Sequence, residues 1–173
     1  MNQTKVLEVM KQLAVEAGRV IMEIYQTDFI VDYKEDESPL TQADRQANAV
    51  IVEGLANAFP EYAILSEEVK DDKVRRQNPY CFIVDPLDGT KEFVKRNGQF
   101  TVNIALAYEQ HPVVGVIYVP VTKDLYYAST ECGAYKISGE TGETRKLTVS
   151  DKQTDLIWVG SKSHSSEKEA NLI

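Results

Sequence analysis

Apolar side chains recur at Val6, Met10, Leu13, Ala17, Val20, Ile21 and Ile24, with charged and amide residues between them. That spacing gathers one apolar stripe on a 3.6-residue helix and predicts an amphipathic helix from about Thr4 to Tyr25. A second stripe, Ala43, Ala47, Val50, Ile51, Gly54, Leu55 and Ala58, predicts a helix from about Thr41 to Phe59. Thr41 suits its N-cap, and Pro60 follows its end. The stretch between them, Phe29 to Pro39, is polar and ends in Ser-Pro, which reads as a loop or short strand. After Pro60 the period shortens. Ala63-Ile64-Leu65 and Cys81-Phe82-Ile83-Val84 are short β-rich runs, separated by a charged, mobile surface loop, EEVKDDKVRRQN. From Phe100 to Ile137, TVNIALAYE, VVGVIYVP, DLYYAST and AYKIS read as strands, with turns near His111-Pro112, Pro120 to Asp124 and Glu131 to Gly133.

Two helices followed by a run of strands predict an α+β fold, two helices packed on a mostly antiparallel sheet. SGETGETRK (138–146) reads as a turn or linker, and Leu156 to Gly160 as the first strand of a second, α/β domain. The expected division is therefore residues 1–145 and 146–173. The second part is too short to complete a layer, so the chain is expected to be truncated at its C-terminal side. Apolar surface left open by an unfinished domain would favour association as a homodimer.

Composition narrows the function. With 27% charged and 43% hydrophobic residues the chain has the proportions of a globular protein. No run of about 18 apolar residues is present, so no transmembrane helix is expected. The charged amphipathic N-terminus does not read as a signal peptide, and the expected location is cytoplasmic. The net charge of −8 argues against a nucleic-acid partner, which would need a basic face. It also means that any phosphorylated substrate must be met by bound cations. Cys81 and Cys132 are neither a disulfide framework nor a zinc pair, and both are expected at or near the core. His111 and His164 are too few for a nitrogen-rich metal site.

The strongest chemical signal is Val84-Asp85-Pro86-Leu87-Asp88-Gly89-Thr90. An apolar strand runs into two carboxylates, then Gly and Thr. Pro86 fixes φ and Gly89 permits a tight path. Such a turn can aim both Asp side chains and the Leu87 carbonyl at one point, a donor set that suits hard, oxygen-seeking Mg²⁺. Lys91-Glu92-Phe93 can open a short helix, which would turn the Gly89 and Thr90 amides toward an anion. Glu67, at the end of the preceding apolar run, either joins the Asp pair or simply begins the charged loop. Asp44 stands three residues after Thr41, so it is either a capping-box carboxylate or a partner of Glu67 and Thr90 that shares a water with them.

Together these segments resemble the inositol monophosphatase-like superfamily of metal-dependent, lithium-sensitive phosphatases, in which an acidic residue after a strand is followed by D-P-[LI]-D-G-T. Three features are similar to its 3′(2′),5′-bisphosphate nucleotidase (CysQ-type) branch: KEDESPLTQAD at 34–44, DGTKEF at 88–93 and GSKSH at 160–164. The resemblance implies two or three Mg²⁺ ions held by Glu67, Asp85, Asp88 and the Leu87 carbonyl. Asp44 and Thr90 would orient and deprotonate the attacking water. Glu67, Leu87, Asp88, Gly89 and Thr90 would face the phosphate, and Ser161, Lys162 and His164 would contact the rest of a phosphorylated nucleotide. The implied reaction is direct hydrolysis of adenosine 3′,5′-bisphosphate to AMP and phosphate, with the phosphosulfate analogue as a second substrate. Other readings are an inositol or sugar monophosphatase of the same superfamily, or a non-catalytic fragment that binds metal or phosphate. The family also uses an Asp directly after a Trp as a further metal ligand, whereas Trp158 is followed by Val159.

Overall fold

In the computed structural model of this 173-residue chain, residues 1–28, 30–33, 39–71, 73–155 and 157 are described. Helix α1 spans Gln3–Tyr25 and helix α2 spans Gln42–Ala58, within a residue or two of the ends that periodicity and capping predict. The Asn2 side chain accepts from the Lys5 N–H at 3.0 Å and so satisfies one of the open amides that begin α1. Between the helices, β1 (Val31–Tyr33) and β2 (Pro39–Thr41) form a small antiparallel pair.

The main sheet has seven strands: β3 (Ala63–Ser66), β4 (Tyr80–Asp88), β5 (Thr101–Tyr108), β6 (His111–Val119), β7 (Asp124–Ser129), β8 (Gly133–Ile137) and β9 (Thr144–Leu147). Their order in space is their order in sequence. β3 and β4 are parallel, and every later pair is antiparallel. A short helix, α3 (Thr90–Val94), interrupts the path from β4 to β5. This is the expected α+β architecture.

Both long helices cover one face of the sheet. Val6, Met10, Ala17 and Ile21 of α1 and Ala47, Ile51 and Leu55 of α2 are buried against Phe82, Val84, Val102, Ile104, Leu106, Val114 and Val116. Alternation along the strands sends their neighbours to the opposite face, where Ile83 and Ile117 remain 47% and 46% exposed. Gly18 sets the spacing between α1 and β6, because a Cβ there would lie 2.4 Å from the Tyr118 ring.

Several expectations need correction. Residues 138–146 are not a linker: Thr144–Leu147 is the seventh strand, paired with β8, and carries the sheet to Leu147. The turn before it is held by Asp124, whose Oδ1 accepts from the Gly139 N–H and whose Oδ2 meets Lys136 Nζ at 2.8 Å. The charged segment after β3 includes a 3-10 turn, Val74–Gln77, where Arg75 pairs with Asp71 at 2.9 Å. The reversal between β5 and β6 sits at Glu109 and Gln110, both with positive φ, so His111 and Pro112 already belong to β6. Cys81 is half-buried, but Cys132 is exposed at the β7–β8 turn rather than in the core. Among the described residues no helix is long and apolar enough to cross a membrane.

The two faces of the sheet should differ sharply in mutational cost. Ile104→Ala, at 1% exposure, is expected to cost about 2–5 kcal/mol by removing fully packed side-chain atoms. Ile117→Ala on the open face should cost under about 1 kcal/mol. Urea unfolding of both variants checks this, and equal losses would mean that the helices do not cover the face described.

Candidate active site

The site begins where β3 and β4 end side by side. Ser66 pairs with Val84, and the Glu67 N–H donates to the Val84 carbonyl at 3.1 Å. Parallel pairing thus brings Glu67 beside Asp85, which sequence alone could not establish. Ser66 is buried, and its hydroxyl donates to Asn48 Oδ1 at 2.5 Å, tying this strand end to α2.

An irregularity in β4 then sets both aspartates on one face. Asp85 pairs with Asn103 and Asp88 with Thr101, so three steps along β4 match two along β5. In a regular strand residues three apart point to opposite faces. The extra residue of this bulge cancels that parity. Val102 and Ile104 of β5 point into the core, so Asn103 and Thr101 face outward, and Asp85 and Asp88 with them. Pro86 and Leu87 are buried at the bulge, and Pro86 has no N–H to leave unpaired there. Asp85 also lines an open groove of about 470 Å³ on this face, floored by Ile83, Ile117 and Tyr126.

Gly89 turns the chain from β4 into α3. Its φ of +97° lies in the left-handed region, and a Cβ there would meet the Gln99 carbonyl oxygen at 2.9 Å. Only glycine fits both conditions. The turn delivers Thr90 to Asp44: Thr90 Oγ1 lies 3.0 Å from Asp44 Oδ1 and 3.2 Å from the Leu87 carbonyl oxygen. One hydroxyl hydrogen serves only one of these acceptors at a time.

Asp44 takes the first of the two roles that its sequence position left open, and it meets Thr90 as well. It closes the capping box of α2, with Oδ2 accepting from the Thr41 N–H at 2.7 Å and from the Thr41 hydroxyl at 2.6 Å. Its other oxygen meets Thr90. The carboxylate is 1% exposed and is fed by three donors.

Charge is concentrated at the strand ends. Burial, then the negative charges of Glu67 and Asp88, push the Asp85 carboxyl up to about 7. A hydrogen bond with Glu67 acts in the same direction, against a smaller opposing effect of the Leu87 N–H. Asp85 Oδ1 is buried and has no hydrogen-bond partner among the described residues. Asp88 is exposed, and its Oδ2 accepts from Asn103 Nδ2 at 3.0 Å. Among the described residues no three His, Cys, Asp or Glu side chains stand together as a ready-made metal cage. The donor chemistry nevertheless fits a hard divalent cation. The donors are oxygens, they carry negative charge that repels itself, and one buried carboxylate oxygen lacks a partner.

Glu67, Asp85, Leu87, Asp88, Gly89, Thr90 and Asp44 therefore occupy one corner of the fold. Ser161, Lys162, His164, Trp158 and the strand expected at 156–160 fall outside the described residues, save Ile157, which is in no element. Sequence reasoning missed Asn103 and Thr101. The trace they left is a polar residue within an otherwise apolar run, TVNIALAY.

The model of the inositol monophosphatase family matches residues 2–172. The chain belongs to this family. The 3′(2′),5′-bisphosphate nucleotidase CysQ of Salmonella typhimurium is 45% identical over 165 residues, covering 94% of this chain and 65% of that protein. The chain thus spans about two thirds of the length of that relative. The crystal structure of CysQ from Bacteroides thetaiotaomicron matches with a TM-score of 0.80 at 42% identity, over 99% of this chain and 67% of that one. An IMPase/NADP phosphatase complexed with Mg²⁺ and phosphate shares the fold, with a TM-score of 0.71 at 24% identity, over 79% of this chain and 52% of that one.

The crowding at Asp85 has a measurable consequence in this family member. Its folded pKa of about 7 lies above the usual carboxylate value of 3.8. The folded state therefore holds a proton that the unfolded chain releases earlier. Stability of the metal-free protein should fall as pH rises from about 4 to about 7, then level off. Asp85→Asn cannot ionise, so it should raise the melting temperature at pH 8, on the order of a few degrees, and change it little at about pH 4. Thermal melts with chelator present test this, and an equal effect at both pH values would contradict the crowding.

Proposed function

We propose that this chain carries the metal- and phosphate-binding part of a cytoplasmic 3′(2′),5′-bisphosphate nucleotidase. The reaction is hydrolysis of the 3′-phosphate of adenosine 3′,5′-bisphosphate to AMP and phosphate. The observation that carries this reading is the part-buried Asp44–Thr90 hydrogen bond close to the Glu67, Asp85 and Asp88 carboxylates. Identity above 40% to two CysQ proteins supports the nucleotide branch over the inositol branch.

Glu67, Asp85, Asp88 and the Leu87 carbonyl would hold Mg²⁺, two or three ions, which when bound supplies neutralisation of the phosphate and a water of lowered pKa. The residues of the chain provide the proton path. Thr90 donates its hydrogen to Asp44, so the lone pairs of its oxygen are free to accept from a water. As the water oxygen bonds to phosphorus and the bond to the ribose 3′-oxygen breaks, the water proton passes to Thr90, and the Thr90 hydrogen moves to Asp44. The 3′-oxygen leaves with a proton drawn from solvent. Asp44 is suited to this because its second oxygen stays anchored by Thr41 throughout. Gly89 and Thr90, at the start of α3, offer amides to the phosphate. Ser161, Lys162 and His164 are assigned to the nucleotide by the likeness of GSKSH. In this reading residues up to β9 form the first domain and the remainder begins a second, with association as a homodimer.

Phosphate release from adenosine 3′,5′-bisphosphate and from inositol phosphate, with saturating Mg²⁺, tests the assignment in this chain and in a form extended at its C-terminal side. The bisphosphate should be the preferred substrate, with most of the activity in the extended form. Preference for inositol phosphate would move the protein to the other branch, and no turnover in either form would leave only a binding fragment.

Asp44→Asn should lower the rate by about 10²–10⁴, the scale of a lost general base. Mg²⁺ affinity should barely change, because Asp44 is not among the proposed ligands. A variant whose only defect is a lower melting temperature would reduce Asp44 to a helix cap.

Asp85→Asn should weaken Mg²⁺ binding at least about tenfold, or 1.4 kcal/mol. Calorimetric titration of the metal into both proteins decides this.

A further inference from the structure

Beside Asp88 the sheet carries a polar relay that the proposed reaction does not use. Thr101 Oγ1 donates to Asn103 Oδ1 at 3.0 Å, and Asn103 Nδ2 donates to Asp88 Oδ2 at 3.0 Å. Thr101 is the backbone partner of Asp88, and Asn103 is the backbone partner of Asp85. The relay therefore spans the bulge that separates the two aspartates.

Its direction follows from chemistry. An ionised carboxylate only accepts hydrogen bonds, so the amide must turn its NH₂ toward Asp88. That leaves Oδ1 facing Thr101, whose hydroxyl is the donor that suits it. Were the amide reversed, its oxygen would face the carboxylate and that contact would be lost, while the Thr101 hydroxyl would turn to accept from the NH₂. Asp88 thus sets which way the amide faces, Thr101 holds the amide in that orientation, and the amide in turn restrains the carboxylate.

We infer that Asn103, held by Thr101, is a positioning residue that fixes the Asp88 carboxylate for the metal and sets its spacing from Asp85. This rests on the reading of Asp85 and Asp88 as metal ligands. Asp88 is exposed at the end of its strand and has a side chain that would otherwise sample several rotamers. With Oδ2 engaged by the amide, Oδ1 is presented in one orientation. Asn103 also binds both halves of the pair to one residue of β5, one through the backbone and the other through the side chain. A neutral amide does this without adding charge to a corner already crowded with carboxylates. Supporting groups of this kind typically govern metal affinity by about 10–100-fold.

The test uses the full 173-residue chain, titrated with Mg²⁺ in a calorimeter, with melting temperatures measured in chelator. Asn103→Ala and Thr101→Val should each weaken Mg²⁺ binding by about tenfold, the low end of that range for a contact at the surface. Thr101→Ser keeps the hydroxyl and should bind within about twofold of wild type. The double variant should be no worse than Asn103→Ala, since both changes break one relay. Metal-free melting temperatures should stay close to wild type. If Asn103→Ala and Thr101→Val bind as tightly as wild type while Asp85→Asn does not, the relay is irrelevant and the ligand assignment survives. If Thr101→Ser fails to restore binding, or the losses track the melting temperature, the relay is only a fold contact and the inference fails. If wild type and Asp85→Asn bind alike, the ligand assignment fails and the relay's role with it.

Discussion

One additional residue in β4 decides whether this fold has a site. A strand alternates faces with unforgiving regularity, and two aspartates three positions apart would diverge, one into the core. The bulge at Pro86 and Leu87 removes that conflict and keeps Asp85 and Asp88 on the open face. Leu87 is spent on the core, Pro86 needs no ladder partner, and Gly89 then accepts the turn that no other residue tolerates. The motif is therefore a piece of backbone engineering first and a set of proposed ligands second.

Around that turn the protein sets three carboxylates, Glu67, Asp85 and Asp88, close together. Asp85 answers by holding its proton well above the usual range, as burial and two neighbouring carboxylates dictate. Asp44 is more deeply buried, and its surroundings differ, because three donors converge on it. Two carboxylates thus sit in different environments, one with an oxygen lacking a partner among the described residues and one met by three donors. Environments that divide like groups in this way are characteristic of sites built for chemistry.

Much of this was legible in the sequence. Periodicity gave α1 and α2 nearly to the residue, since each has a single apolar stripe and α2 has a capping Thr at its start. Thr90 and the two aspartates were visible because Pro and Gly punctuate their turn. Asp44 was ambiguous for a physical reason: capping and proton transfer ask for the same side chain at the same position, and the structure has it do the first while meeting Thr90. Asn103 and Thr101 were hidden, because a polar residue on an outward-facing strand position is ordinary until its partner across the sheet is known. β9 was missed because Thr144–Leu147 is short and charged, and its pairing is a property of β8 rather than of its own composition. Glu67 was uncertain until the parallel register of β3 and β4 was known.

That parallel pair also governs the order in which the molecule can assemble. From β5 to β9 every strand meets its sequence neighbour, and each closure involves a short loop and a small entropy loss. The connections on either side of β4 are longer, and α1 must find β6, far along the chain. Local contacts form faster than distant ones. The meander is therefore the early part of folding, and the corner where Glu67, Asp44 and Thr90 meet is among the last to close. Ribosomal synthesis adds to the delay, since both long helices emerge before the sheet that buries them exists.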